Sequence, residues 1–341
     1  MKKTKSDLYC LIREKQNEPA RYRLLQSLRF YFGDKFVDKM SGRIKVVTGD
    51  FTGGPLLGLS KRDLAEVVSH TDIVINSGAL VKHFGLKKDF DNINVFGTQN
   101  VVKFCQKYGK KLIHISTVSV SGNGEKEASI VETAENKNNK TIFTENKLYI
   151  GQDLKNIYAI TKFKAELLVY EAIADGLDAQ VLRLGNITSR YSDGAFQMNT
   201  DDNAFAKRLK TYIEIGAFPS YVLGHELEFT PVDLAAEATI TILSHKSDCN
   251  TFHVMDPKLL SIPVLIDTLK LMGINLLAVS DQMMSDIITG ILNDEKRKDL
   301  VSGIIQDLDR NKKLVYTSSI RLNCTFTENY LKNCRFSLEK N

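Results

Sequence analysis

Short apolar runs alternate with amphipathic stretches through the first half of the chain. "DLYCLIR" (7–13), "RIKVVTGDF" (43–51), "DIVINSGA" (72–79), "KKLIHISTVSV" (110–120) and "DAQVLRLGNI" (178–187) are brief, and most are rich in Val, Ile and Leu. They read as strands. Between them, "PARYRLLQSLRFYF" (19–32) sets Leu24, Leu28 and Phe32 at helical spacing, and "LAEVVSH" (64–70) reads as a short helix. "NVFGTQNVVKFCQKYG" (94–109) predicts a helix closed by Gly109, and "NIYAITKFKAELLVYEAIADG" (156–176) predicts another ended by a glycine. Strands alternating with helices build a parallel sheet covered on both faces. Beyond about residue 190 the pattern turns mostly helical, with one short strand at "TFHVMD" (251–256). The expected division is a Rossmann-like domain over 1–190 and a smaller, mostly helical substrate region over 191–341. A polar insert follows the fourth strand at the edge of the sheet where ligands bind. Its composition suits a substrate lid and a solvated loop equally.

Composition narrows the class. The chain has 341 residues, 43% of them apolar and 26% charged, with a formal charge of +5. That suits a globular protein and lacks the clustered basic stripe of a nucleic-acid binder. Its five cysteines are widely spaced and form no CxxC pair, and the six histidines show no metal-ligand spacing. A disulfide framework or a metal site is therefore not expected. "MKKTKSD" lacks a hydrophobic signal core. "LLSIPVLIDTLKLMGINLLAVS" (259–280) is interrupted by Pro263, Asp267 and Lys270, and reads as buried helix rather than membrane span. The expected setting is cytoplasmic.

The candidate chemistry lies in "NIYAITK". Residues four apart on a helix share a face, so Tyr158 and Lys162 project together. An ammonium beside a phenol favours the phenolate and makes the tyrosine a usable acid near neutral pH. Alone, this spacing is more often a solvated helix face. Its neighbours change the balance. Ser116 and Thr117 end the fourth strand, where a hydroxyl can hold a carbonyl oxygen beside the tyrosine. His114, on an apolar strand, reads as a packed core histidine.

Together "ISTVSV", "YAITK" and "NVFGTQNVV" resemble an extended short-chain dehydrogenase/reductase. More narrowly, "CLIR", "INSGALVKHFG", "FTENKLYIGQ", "VLRLGNITSR", "GAFQMNTDDNAF" and "FTPVDLAAEA" resemble the thioester reductase domain that ends many nonribosomal peptide synthetases, a relative of the domain in carboxylic acid reductases. The resemblance implies a catalytic triad of Thr117, Tyr158 and Lys162, with Lys162 also holding the nicotinamide ribose. It implies cofactor contacts from Asp50 and Phe51 at the adenine, from the small turn Ser77, Gly78 and Ala79, from Asn94 as active-site support, and from Gly185, Asn186 and Ile187 beside the nicotinamide. Arg13 stands where NAD-preferring folds carry an acidic residue, and Arg23 is a second candidate phosphate contact. Guanidinium groups suit a 2′-phosphate, so the expected cofactor is NADPH. The implied partner is a carrier protein bearing a phosphopantetheine-linked peptidyl or acyl thioester, docked on the C-terminal region.

One departure stands at the front. The family's first strand and its GxxGxxG turn have no counterpart before "DLYCLIR", which corresponds to the second strand, and Gly53, Gly54 and Gly58 follow a later one. The expectation is an extended reductase fold with the first βα unit missing, and weak NADPH binding by the chain alone. Competing readings are a fatty acyl-CoA reductase using the same triad on a free thioester, a nucleotide-sugar epimerase or dehydratase of the same extended fold, and an inactive fragment serving as a binding module.

Overall fold

The structure is a computed structural model that describes residues 3–16, 18–81, 85–122, 141–154, 156–200, 203–301, 303–304 and 320–340. The first half runs β1 (Leu8–Ile12), α1 (Ala20–Phe32), α2 (Asp34–Met40), β2 (Ile44–Thr48), α3 (Lys61–His70) and β3 (Ile73–Asn76). A helical turn, α4 (Lys87–Phe90), and a π turn (Asp91–Phe96) then lead into α5 (Gly97–Tyr108). Next come β4 (Lys111–Thr117), β5 (Thr141–Phe143), α6 (Ile157–Ala174) and β6 (Ala179–Leu184). Local chemistry sets the ends of these helices. Ser60 caps α3 by accepting from the Asp63 amide, and Asn156 Oδ1 caps α6 by accepting from the Ala159 amide at 2.7 Å. Gly109 ends α5 at φ 61, the left-handed conformation that glycine adopts without strain.

The expected parallel sheet is present. β3, β4 and β6 pair in parallel, and β1 pairs in parallel with β2. The strand expected in the C-terminal region, β11 (Thr251–Val254), instead lies beside β6 and completes the order β11-β6-β4-β3. The expected break at residue 190 therefore does not follow the hydrogen bonding: later chain returns to the first half's sheet. The reason is burial. α8 (Val232–Ser244), β11 and α11 (Thr325–Asn333) supply Leu234, Ala238, Phe252 and Leu331, which cover Ile113 and Leu182 on one sheet face. On the other face, Val101, Phe104, Leu112, Val169 and Val181 form a core shared with Tyr9 and Leu11 of β1, Val47 of β2 and Val74 of β3. A separate small core joins α7 (Ala204–Ile215), β8 (Ala217–Pro219), β13 (Leu277–Val279) and α10 (Asp281–Leu292), and this is the part of the C-terminal region that packs on itself.

The last predicted strand of the first half divides. β6 stops at Leu184, and after Gly185 and Asn186 the chain resumes as β7 (Ile187–Thr188), paired with β10 (Thr230–Pro231). Among the described residues β1 is bonded only to β2, and β3 only to β4, although both strands share one core. Ile75 of β3 is 43% exposed whereas Leu112 and Ile113 of β4 are fully buried, so β3 is an edge. Residues 123–140 of the polar insert after β4 lie outside the described residues. No helix among the described residues is long and apolar enough to cross a membrane.

Candidate active site

The carboxyl end of β4 and the first turns of α6 meet. Alternation along β4 sends consecutive hydroxyls to different partners. Thr117 Oγ1 accepts from the Ser119 amide at 3.1 Å and hydrogen-bonds Tyr158. Ser116 Oγ instead donates to Glu166 Oε1 at 2.5 Å. Of the two strand-end hydroxyls, Thr117 is therefore the one beside the tyrosine. Glu166 is fully buried against Arg183, whose Nη2 donates to Glu166 Oε2 at 2.8 Å. Arg183 Nη1 donates to Lys147 O at 2.8 Å and meets His253 Nε2 at 3.1 Å. Beneath the strand end, this buried pair ties α6 to β6.

Lys162 is 2% exposed. Its Nζ donates to Ile115 O at 2.7 Å and lies 3.3 Å from His114 Nε2. Burial draws the Lys162 pKa down to about 8, against an opposing pull from Glu166. The expectation that Lys162 lowers the Tyr158 pKa is corrected here. Burial pushes the phenol up, and the Thr117 hydrogen bond offsets only part of that rise. The cause is placement: the lysine amine is drawn onto β4, and its own charge is disfavoured by burial. A raised phenol keeps its proton at neutral pH and can still donate it.

Asn94 sits on the π turn, a helix irregularity common at functional sites. It accepts from the Leu80 amide at 2.7 Å and donates to Leu80 O at 3.1 Å and to Thr161 Oγ1 at 3.0 Å. Asn94 thus fixes the turn after β3 against α6, at the residue before Lys162. Gly185 approaches the buried Glu228 carboxylate so closely that a Cβ would overlap it. Glu228 Oε2 accepts from the Asn186 amide at 2.5 Å, and Ile187 begins β7. Burial raises the Glu228 pKa, with the Thr230 hydroxyl and the Asn186 amide opposing.

The remaining candidates follow the carboxyl ends of β1, β2 and β3. Phe51 follows β2, and its ring lies where side chains at Gly78 and Gly97 would reach. A Cβ on Gly78 would stand 2.8 Å from the ring, and one on Gly97 would overlap it. Ser77 and Ala79 flank Gly78 in the turn after β3. Asp50 Oδ1 accepts from the Thr52 amide at 2.8 Å, and Asp50 Oδ2 is 3.9 Å from Arg13 Nη1. Arg23 donates to Arg13 O, while its Nε is buried without a partner. The small turn, the aromatic ring and two guanidinium groups, one with a buried unpaired N–H, would suit the adenosine end of a nicotinamide cofactor. Among the described residues no strand–GxxGxxG–helix unit cradles the pyrophosphate.

The sequence reading missed three features of this site: the contact of His114 with Lys162, the Ser116–Glu166–Arg183–His253 cluster, and Glu228 behind Gly185. One was signalled. Glu166 continues the four-residue spacing Tyr158, Lys162, Glu166 on α6. The other contacts join residues on different elements and carry no local signal.

The pattern of the family described as Male sterility protein, an NAD-binding family, matches residues 1–239. A linear gramicidin synthase polypeptide of Brevibacillus parabrevis is 26% identical over 296 residues, covering 86% of this chain and 5% of that protein. A carboxylic acid reductase of Segniliparus rugosus is 27% identical over 268 residues, covering 72% of this chain and 21% of that protein. The chain thus spans a small part of these relatives. Among solved structures, a thiolation-reductase di-domain from an archaeal non-ribosomal peptide synthetase superposes with a TM-score of 0.80 at 28% identity, covering 99% of this chain and 68% of that one. The fold is that of an extended short-chain dehydrogenase/reductase, and the chain belongs to the male sterility protein family of NAD-binding domains.

Proposed function

We propose that this chain reduces a carrier-bound peptidyl or acyl thioester to an aldehyde, using NADPH. The observation that carries the reading is Thr117 hydrogen-bonded to Tyr158 at the end of β4, with Lys162 one helical turn further along α6. Thr117 Oγ1 and Tyr158 OH hold the thioester oxygen and stabilise the charge that develops on it. Bound reduced nicotinamide supplies the hydride. Tyr158 passes its proton to the oxygen, giving a tetrahedral hemithioacetal. That species then loses the thiol and leaves as the aldehyde. Lys162 holds the ribose hydroxyls, and Gly185, Asn186 and Ile187 line the nicotinamide side. The partner is a carrier protein with a phosphopantetheine arm, in keeping with the archaeal di-domain, whose description joins a thiolation domain to a reductase. The thioester class is supported by the similarity to peptide synthetases and carboxylic acid reductases rather than by any one residue.

The test supplies an acyl thioester on a carrier protein together with NADPH. It assays both the 341-residue chain and a fusion in which the glycine-rich unit of a relative precedes β1. Aldehyde formed in step with NADPH consumed supports the reading. Reduction of free acyl-CoA with no carrier requirement would favour a fatty acyl-CoA reductase instead.

Two further outcomes are expected. By itself the chain binds NADPH weakly, with a Kd above about 100 µM, because backbone amides at a helix N-terminus supply much of the pyrophosphate affinity. Calorimetry returning a submicromolar Kd would refute this. In the fusion, Arg13→Ala raises KM for NADPH by about ten- to a hundredfold and leaves KM for NADH nearly unchanged, since a charge-assisted contact is lost only for the phosphorylated cofactor. An equal change for both cofactors would remove Arg13 from the phosphate site.

A further inference from the structure

A buried carboxylate without a cation is costly, because burial strips away the water that solvates its charge. Glu228, just before β10, is 8% exposed. Among the described residues no Lys, Arg or His forms an ion pair with it, and the charged group that acts on it is Asp256, of the same sign. Hydrogen bonds alone hold it. Oε2 accepts from the Asn186 amide at 2.5 Å, and Oε1 accepts from the Thr230 hydroxyl. Thr230 Oγ1 accepts in turn from the Asp256 amide at 3.0 Å. With a donor on each oxygen, the group needs no proton of its own.

The sheet sets where this charge lies. Leu184 of β6 is the register partner of Thr117 of β4, so Gly185 leaves the sheet directly beside the Thr117 strand end. Neighbouring strands are only about 5 Å apart. The chain then passes Glu228 so closely that a Cβ on Gly185 would overlap the carboxylate. Asn186 Nδ2 donates to Glu228 O at 3.2 Å, and the Thr230 amide donates to Asn186 O at 2.9 Å, which pins the segment. Glu228 is buried behind this segment, whereas Asn186 is exposed.

We propose that Glu228 is a positioning residue for Gly185 and Asn186, and that its carboxylate is the counter-charge of the pyridinium ring left when a reduced nicotinamide gives up hydride. This rests on the function proposed above, which puts the ring beside Gly185, Asn186 and Ile187. Loss of hydride turns a neutral dihydropyridine into a cation. The oxygen that receives the negative charge is protonated by Tyr158, so the ring alone stays charged. A fixed anion behind the ring therefore favours the oxidised cofactor, and the cation that Glu228 lacks arises in the reaction itself.

Nuclear magnetic resonance of the chain and of the fusion, with backbone amides and glutamate carboxyl carbons labelled, tests this with NADP+ and NADPH and no thioester. The Glu228 carboxyl carbon should show an ionised group at pH 7. Its titration midpoint should fall when NADP+ binds and stay in place when NADPH binds, since only the oxidised ring is a cation beside it. Glu228→Gln, which keeps an acceptor for the Asn186 amide, should weaken NADP+ by about three- to thirtyfold and NADPH by less than about twofold. Glu228→Asp, which keeps the charge, should restore most of the preference for NADP+. A protonated Glu228 at pH 7, a midpoint that moves alike with both forms, or equal losses of both in Glu228→Gln would overturn the proposal. The midpoint is read on the unsubstituted protein, so the result stands even where a variant fails to fold. Because no thioester enters, failure of the thioester reaction and failure of this charge effect are separate results.

Discussion

Tyr158→Phe is expected to lower kcat for thioester reduction in the fusion by about 10²- to 10⁴-fold, the range lost when a positioned general acid is removed. The substitution deletes one oxygen and keeps the partly buried ring, so packing and cofactor affinity should be retained. Burial holds this phenol above its ordinary pKa, so across neutral pH the group lost is a proton donor. Thr117→Val removes the second contact to the thioester oxygen and should cost about 10²- to 10³-fold, as for other single oxyanion donors. Comparing initial rates at saturating NADPH checks both. Equal rates for wild type and Tyr158→Phe would end the proposed role of this residue, and with it the mechanism.

The largest stability loss is expected at Glu166. Its carboxylate accepts from Arg183 Nε and Nη2 and from the Ser116 hydroxyl, with no exposure at either charged side chain. Glu166→Leu leaves a guanidinium buried without its anion and should destabilise by about 3–5 kcal/mol. Urea unfolding followed by circular dichroism would read this as a lower midpoint at unchanged slope. The double variant Glu166→Leu/Arg183→Met should recover much of the loss, because the penalty comes from the unpaired charge rather than from loss of a strong net attraction. His253 belongs to the same cluster. Burial and the adjacent Arg183 pull its pKa down to about 3, so it stays neutral and accepts from Arg183 Nη1 on Nε2 while Nδ1 donates to Asn323 O. A single-variant loss below about 1 kcal/mol would mean that water reaches this pair in solution.

Much of the architecture was legible from local pattern. β1 to β4 and β6 follow apolar runs visible in the sequence, and α5 ends where Gly109 requires it. Thr117 meets Tyr158, Arg13 meets Arg23 and Asp50, and Phe51 meets Gly78, so residues that the family resemblance named lie in contact, and their roles belong to the proposed function. β11 was legible as a strand, but its sheet was not assignable, because the four residues Thr251–Val254 say nothing of which strands they join. Its neighbour β6 lies about seventy residues away in sequence, and only the burial of Phe252 and Val254 against α8 and α11 decides that pairing.

The same division holds for the chemistry. Sequence alone determined that a hydroxyl ends β4 and that Tyr158, Lys162 and Glu166 share one stripe of α6, because helical and strand periods are properties of local backbone. Tertiary structure alone decided which groups carry protons. Burial raises the Tyr158 pKa and lowers that of Lys162, and His114 meets the lysine amine across forty-eight residues of chain. Charge in a protein is set by solvent access and by neighbours brought together from distant segments, and neither is encoded within a single turn of helix or strand.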